Sequence, residues 1–277
     1  MACKIILTPV IALEEDEAAL CAVAEIADKF DAQPIALILA MHLASSFMDQ
    51  AAPLSAVLED LASGSRSHAA QLRSGIAAWL QRAPRPFEVR DLAIESAVND
   101  DRIVAHARLA DLTIMAHAAS HDRARRAAIE DVLFKSGRPM LVVPARPLKR
   151  RSWDRVVIGW NATAESVRAV VGAMPFLAGA KQVVITTVDA KRTSGATSAP
   201  GQELAEYLQR HDVTAEVRNI DGLGRSHGKA LLDAAVDIDA DLLVIGAYGH
   251  SRARELLFGG VTRELLAGST VPLLMAH

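Results

Sequence analysis

Short continuous apolar runs alternate along this chain with stretches in which apolar residues recur every three to four positions. The runs Lys4-Ile-Ile-Leu, Gln33-Pro-Ile-Ala-Leu-Ile-Leu-Ala40, Asp111-Leu-Thr-Ile-Met-Ala116 and Pro139-Met-Leu-Val-Val have the length of strands buried on both faces. All four return in the same order, as Arg155-Val-Val-Ile, Lys181-Gln-Val-Val-Ile-Thr-Thr-Val188, Asp241-Leu-Leu-Val-Ile-Gly246 and Pro272-Leu-Leu-Met-Ala. Repetition on this scale points to an internal duplication. The offset between copies passes from 151 to 148, then 130, then 133, so the second copy is shortened between its second and fourth strands. There the first copy has an Ala/Leu-rich helical stretch from Leu54 to Arg82, and the second has a Ser/Thr/Gly loop from Thr193 to Gly201 followed by a brief helix.

Each copy predicts strand and helix in strict alternation, five strands in all, which argues for a parallel sheet covered by helices on both faces. In the second copy the strands fall near 155–159, 182–188, 215–219, 241–246 and 271–275. Helices are signalled by Ala164 to Leu177, Lys229 to Val236 and Val261 to Ala267, the last closed by Gly268. Pro144, Pro147 and the basic run Lys149-Arg150-Arg151 mark a solvated linker, dividing the chain into domains 1–148 and 153–277.

Composition removes several classes of function. At 277 residues, 51% hydrophobic and 4% aromatic, the chain has material for a sizeable core in each half. Thirty basic residues against 33 acidic ones leave a formal charge of −3, too little positive field for a nucleic acid or an anionic membrane. The uncharged stretch Ala169 to Ala180 holds Pro175 and two glycines and falls short of a bilayer span. With no signal-like start, the chain reads as cytoplasmic, and Cys3 and Cys21 read as reduced thiols.

The candidate chemistry follows the fourth strand of the second copy, in Gly246-Ala-Tyr-Gly249-His-Ser-Arg-Ala-Arg-Glu-Leu-Leu-Phe-Gly259-Gly260-Val-Thr262. Loops at the carboxyl ends of strands beside a topological switch point are where open α/β sheets bind ligands. Gly246 and Gly249 permit positive φ and close backbone approach, and Gly259 and Gly260 open a helix whose free N–H groups suit an anion. His250, Arg252 and Arg254 add positive charge between the glycine pairs.

This loop and the duplication resemble the universal stress protein family in its tandem form. The nucleotide-binding members of that family carry Gly, two residues, Gly, nine residues, Gly, then Ser or Thr; Gly246, Gly249 and Gly259 match, while Gly260 replaces the hydroxyl residue and Thr262 follows two residues later. The resemblance implies two flavodoxin-like (adenine nucleotide alpha hydrolase-like) α/β domains, each a parallel five-stranded sheet of order 3-2-1-4-5, packed as an internal pseudo-dimer. It further implies ATP, or else ADP or AMP, with Mg²⁺ as a companion of the nucleotide, held by Asn161 and Ala162 after the first strand and by Val188 against the adenine. The other implied contacts are Gly246, Gly249, His250, Arg252, Gly259, Gly260, Val261 and Thr262. Asn161 stands where the family places an acid. The implied role is stress response by nucleotide sensing, with a homodimer or another protein as reader and at most slow ATP hydrolysis.

The first copy lacks these features. Ala116 and Ala119 stand opposite Gly246 and Gly249, and Arg126 and Ala127 opposite Gly259 and Gly260, so this copy is expected to be a packing partner without an intact site. Two further readings stay open: a scaffold of the same fold without nucleotide, and a serine hydrolase built on Gly224-Arg-Ser226-His-Gly228 with Asp233, Asp237 or Asp241 and His250. His117, His121 and Asp122 are read as a solvated loop, Asp237, Asp239 and Asp241 as a helix-to-strand turn, and no metal site is expected.

Overall fold

The computed structural model describes residues 3–41, 67, 70–94, 101–119, 122–145, 152–190, 201–247 and 260–277. In the first half the elements run β1 (Ile5–Val10), α1 (Leu13–Phe30), β2 (Gln33–Met41), α2 (70–80), β3 (Glu88–Ile94), α3 (Asp101–Arg108), β4 (Leu112–Ala116), α4 (Arg123–Lys135) and β5 (Met140–Val143). The second half follows with β6 (Arg155–Gly159), α5 (Ala164–Leu177), β7 (Gln182–Val188), α6 (Gln202–Gln209) and β8 (Glu216–Ile220). It ends in α7 (His227–Asp237), β9 (Leu242–Gly246), α8 (Val261–Gly268) and β10 (Leu273–Ala276). Helix α7 starts two residues before the expected Lys229 because Ser226 caps it, its hydroxyl accepting the Lys229 N–H. Gly268 is the last residue of α8 and Ser269 its C-cap.

All ten strands form one sheet, ordered β3-β2-β1-β4-β5-β10-β9-β6-β7-β8. Each half keeps the expected order 3-2-1-4-5, with parallel pairing inside it. The two expected five-stranded sheets join edge to edge: β5 and β10 pair antiparallel, with Leu273 opposite Val142, Leu274 opposite Leu141 and Met275 opposite Met140. Each strand would otherwise leave a row of unpaired backbone groups at an exposed edge, and pairing satisfies both rows at once. The two remaining edges, β3 and β8, each carry a Glu-Val-Arg sequence whose Arg Nε donates to the Glu carboxylate at 2.7 Å, in Glu88 and Arg90 and in Glu216 and Arg218. Charged edges of this kind resist pairing with other sheets.

The core lies on both faces of the sheet and crosses the β5–β10 seam on each. One face is covered by α1, α5 and α6, through Val23 and Ile26, Val170 and Phe176, and Leu204 and Leu208. The other is covered by α3, α4, α7 and α8, through Ile103, Ile129, Val132, Leu231 and Leu265. A smaller cluster joins Leu20 of α1 to Leu72 and Ile76 of α2. At the seam Phe176 meets Phe30 of α1 edge-on at 5.0 Å and Trp153 at 6.1 Å, so one ring ties the two halves together.

One device occurs in both halves. Asp111, before β4, accepts the backbone N–H groups of Lys4 and Ile5 at 2.8 and 3.0 Å. Asp241, before β9, accepts those of Asp154 and Arg155 at 2.9 and 3.1 Å. Each carboxylate pins the start of a central strand, which accounts for the acid at this place in both copies. Among the described residues no helix is long and apolar enough to cross a membrane.

The Phe176→Ala variant is expected to lose about 3–5 kcal/mol of unfolding free energy, read from urea denaturation, because the ring is 1% exposed and fills the seam. A loss below about 1 kcal/mol would show that the seam does not depend on it.

Candidate functional site

The strand order makes crossover helices leave opposite faces at β6 and β9, and this opens a crevice at the carboxyl ends of those strands. A cavity of about 110 Å³ lies there, between the ends of β6, β7 and β9 and the first turns of α7 and α8. Gly159 ends β6 and keeps the floor low: a Cβ there would meet Ile245 and Leu231 at 3.0 Å. The walls are largely apolar, from Val188, Leu231, Ile245 and Val261, with Asn161, Thr186 and His227 as the polar side chains.

Of the residues singled out from the sequence, Asn161, Val188, Gly246 and Val261 line this one cavity. Ala162, Gly260 and Thr262 stand next to lining residues and do not line it themselves; Ala162 is left-handed at φ 58°, and Thr262 is buried. Gly249, His250, Arg252, Arg254 and Gly259 lie outside the described residues.

The structure corrects the reason for Gly246. Its φ is not left-handed; it ends β9 as ordinary strand. A Cβ there would sit 2.4 Å from the Ser166 nitrogen and 2.7 Å from the Glu165 carbonyl carbon, so glycine is needed because the first turn of α5 lies directly on the strand end. The close backbone approach is between two parts of the protein.

Asn161 is part of a turn that starts α5. Its Oδ1 accepts the Thr163 N–H at 3.3 Å and the Thr163 hydroxyl at 3.0 Å, and Thr163 in turn caps α5 through the Ser166 N–H. Because an N–H can only donate, the carbonyl oxygen of the amide is committed to that turn, and the group left for a ligand is the donor Nδ2. A carboxylate at this place would offer an acceptor.

Helix α8 opens at Gly260, with φ −64° and ψ 155°, and no side chain among the described residues caps it. Its first turn therefore presents backbone donors and the positive end of the helix dipole beside the cavity wall formed by Val261. At the opposite rim Asp189 follows Val188 in a left-handed conformation at φ 50°. Asp189 accepts the Gly222 N–H at 2.9 Å and lies 3.5 Å from Nε2 of His227.

Gly159, Trp160, Thr186, His227, Leu231 and Ile245 also line the cavity and were not singled out beforehand. The pairing of Gly159 with Thr186 across β6 and β7 brings two of them together, and strand-end positions on neighbouring central strands were the available signal. Ser226 belongs to helix packing: besides capping α7 it donates to Glu264 of α8, and a Cβ at Gly228 would collide with that same carboxylate. Two of the three acids proposed for it are engaged elsewhere, Asp233 with Arg225 and Lys229 and Asp241 with the start of β6. Asp239 meets Arg155 at 3.3 Å, and no group of three or more metal-ligating side chains occurs among the described residues.

Among the described residues, the equivalent place in the first half is occupied by a buried charge cluster. Helix α4 starts at Arg123, and Arg125 in its first turn is 1% exposed. Its guanidinium donates to Asp16, to Glu15 at 2.8 Å and to Asp122 at 3.0 Å. Asp16, wholly buried, also accepts the N–H groups of Ile11 and Ala12 just after β1. Burial alone would push the arginine down, but the charge of Asp16 and the hydrogen bonds of Asp16, Glu15 and Asp122 outweigh it and raise its pKa above the ordinary value. Ala116 and Arg126 stand, as expected, without glycine, and His117 ends this side with its Nε2 buried.

Residues 152–277 match the model of the universal stress protein family. No curated protein sequence matches the chain. Among solved structures, a universal stress protein from Archaeoglobus fulgidus DSM 4304 is similar at 16% identity and TM-score 0.70, over 98% of this chain and 95% of its own. A putative universal stress protein from Pseudomonas aeruginosa UCBPP-PA14 is similar at 16% identity and TM-score 0.58, over 99% and 92%. A functionally unknown protein from Pseudomonas aeruginosa PAO1 follows at 15% identity and TM-score 0.55, over 99% and 92%. At these identities the likeness is one of fold.

Replacing Arg125 with methionine is expected to cost about 3–5 kcal/mol in urea denaturation at pH 7, because it leaves the Asp16 carboxylate buried and unpaired. Adding Asp16→Asn to that variant should recover a large part of the loss. A neutral single variant would contradict the account of the filled crevice.

Proposed function

We propose that the second half of the chain, whose residues 152–277 match the universal stress protein family model, works as a member of that family and binds an adenine nucleotide, ATP or its ADP and AMP relatives. The observation that carries this reading is the uncapped first turn of α8 opening beside an apolar-walled cleft at the carboxyl ends of β6, β7 and β9. An apolar cleft suits a base, and free helix N–H groups suit phosphates. At about 110 Å³ the cleft is smaller than the roughly 300–1,000 Å³ of sites that enclose a whole drug-sized ligand, so it takes the flat part only. The phosphates then lie outside it, toward Gly260, with any Mg²⁺ arriving on them.

In this reading the residues proposed to hold the nucleotide are Asn161, Ala162, Val188, Gly246 and Gly260 to Thr262, joined by Gly249, His250, Arg252 and Gly259 of the loop. Domain 1–148 serves as support and domain 153–277 as the receptor. Occupancy acts as the signal: the nucleotide favours one arrangement of the surface around α8, and a second copy of the chain or another protein reads it. A second reading, a stress scaffold without nucleotide, is favoured by the missing hydroxyl at Gly260 and by the committed oxygen of Asn161.

Thermal unfolding separates the two. The midpoint of the wild-type chain should rise with millimolar ATP. Gly260→Asp should keep or raise the unliganded midpoint, since aspartate is a favoured N-cap, while its carboxylate repels phosphate and abolishes the ATP-dependent rise. A wild-type midpoint indifferent to ATP would favour the scaffold.

A further inference from the structure

The nucleotide reading leaves one feature of the cleft unexplained, Thr186, a polar residue placed inside an apolar wall. It lies on β7, is 1% exposed, lines the cleft, and its hydroxyl has no hydrogen-bond partner. The adjacent Thr187, on the opposite face of the same strand, donates to Asn219 at 2.9 Å, so this strand does pair a threonine hydroxyl where a partner is at hand. An unpaired buried hydroxyl is unfavourable to the folded state, and valine would fill the same volume without that cost. The neighbours Val183, Val184 and Ile185 show that the strand accepts branched apolar side chains. Across the ladder stands Gly159, which has no side chain to cover the hydroxyl.

We propose, resting on the nucleotide reading above, that Thr186 is a specificity-determining contact whose hydroxyl is satisfied by the polar edge of the bound base. The rest of the nucleotide fits this place poorly, because ribose and phosphate need several donors or water, and the walls beside Thr186 are Val188, Leu231 and Ile245. A heterocycle is the part that fills an apolar slot and still presents a hydrogen-bonding edge. The hydroxyl both donates and accepts, so it rotates to suit either kind of atom.

This role makes stability and affinity move in opposite directions. Thr186→Val should raise the unliganded melting midpoint by about 2–4 °C, because it removes an unsatisfied group. It should also weaken ATP about three- to tenfold by calorimetric titration, because it removes one hydrogen bond from the complex. Thr186→Ser, which keeps the hydroxyl, should return affinity to within about twofold of wild type. Thr113 supplies the control: it too is a buried strand threonine without a partner, but it lies in the first half, away from the cleft. Thr113→Val should raise the midpoint and leave ATP affinity unchanged. If the wild type binds ATP and Thr186→Val binds it equally well, the assignment of Thr186 is overturned and the nucleotide reading stands. A weakened Thr186→Val with a lowered midpoint, or an equal weakening in Thr113→Val, overturns the assignment as well. If the wild type binds no ATP, the nucleotide reading fails and the assignment falls with it.

Discussion

A parallel sheet of order 3-2-1-4-5 sends its crossover helices to opposite faces on either side of the first strand, and the carboxyl ends there cannot be closed by the helices themselves. This chain meets that constraint twice, between β1 and β4 and between β6 and β9. The two crevices are treated differently. Beside β1, α4 begins at Arg123 and sends Arg125 into a cluster of three carboxylates that fills the space. Beside β6, α8 begins at Gly260, no side chain among the described residues caps it, and a cleft lies at the strand ends. One fold repeated twice thus ends in a buried charge cluster in one half and in an apolar-walled cleft in the other.

The seam decides that these halves act as one body. Pairing β5 with β10 consumes the edge that each half would expose, and both layers of core continue across it. Trp153, Phe176 and Phe30 close the same seam from one face, while Lys29 of α1 donates to the Ser152 carbonyl in the segment leading into β6. The outer edges carry matched Glu–Arg pairs, so the surface available for further sheet pairing is charged at both ends.

Much of this architecture was legible in the sequence, because buried parallel strands leave continuous apolar runs and the duplication fixes their order. What escaped depends on contacts distant along the chain. Arg125 and Asp16 are 109 residues apart, and nothing local marks an arginine in a helix's first turn as a buried plug. The antiparallel seam was hidden for the same reason: which edge meets which is a tertiary choice. Gly246 was recognised as a place of close approach, but the approaching backbone is that of α5, since a glycine spared for packing and one spared for a turn look alike in a sequence. Thr186 was overlooked because threonine is an ordinary strand residue; only its missing partner sets it apart. The loop residues Gly249, His250, Arg252 and Gly259 lie outside the described residues.

The claim that one crevice is open and the other filled is tested most directly by counting. Native mass spectrometry of the intact chain with excess ATP, corrected by a non-binding reference protein, should give a single nucleotide per chain. Two nucleotides per chain would mean that the Arg125 cluster leaves room for a ligand, and none would mean that the open cleft is not a nucleotide site.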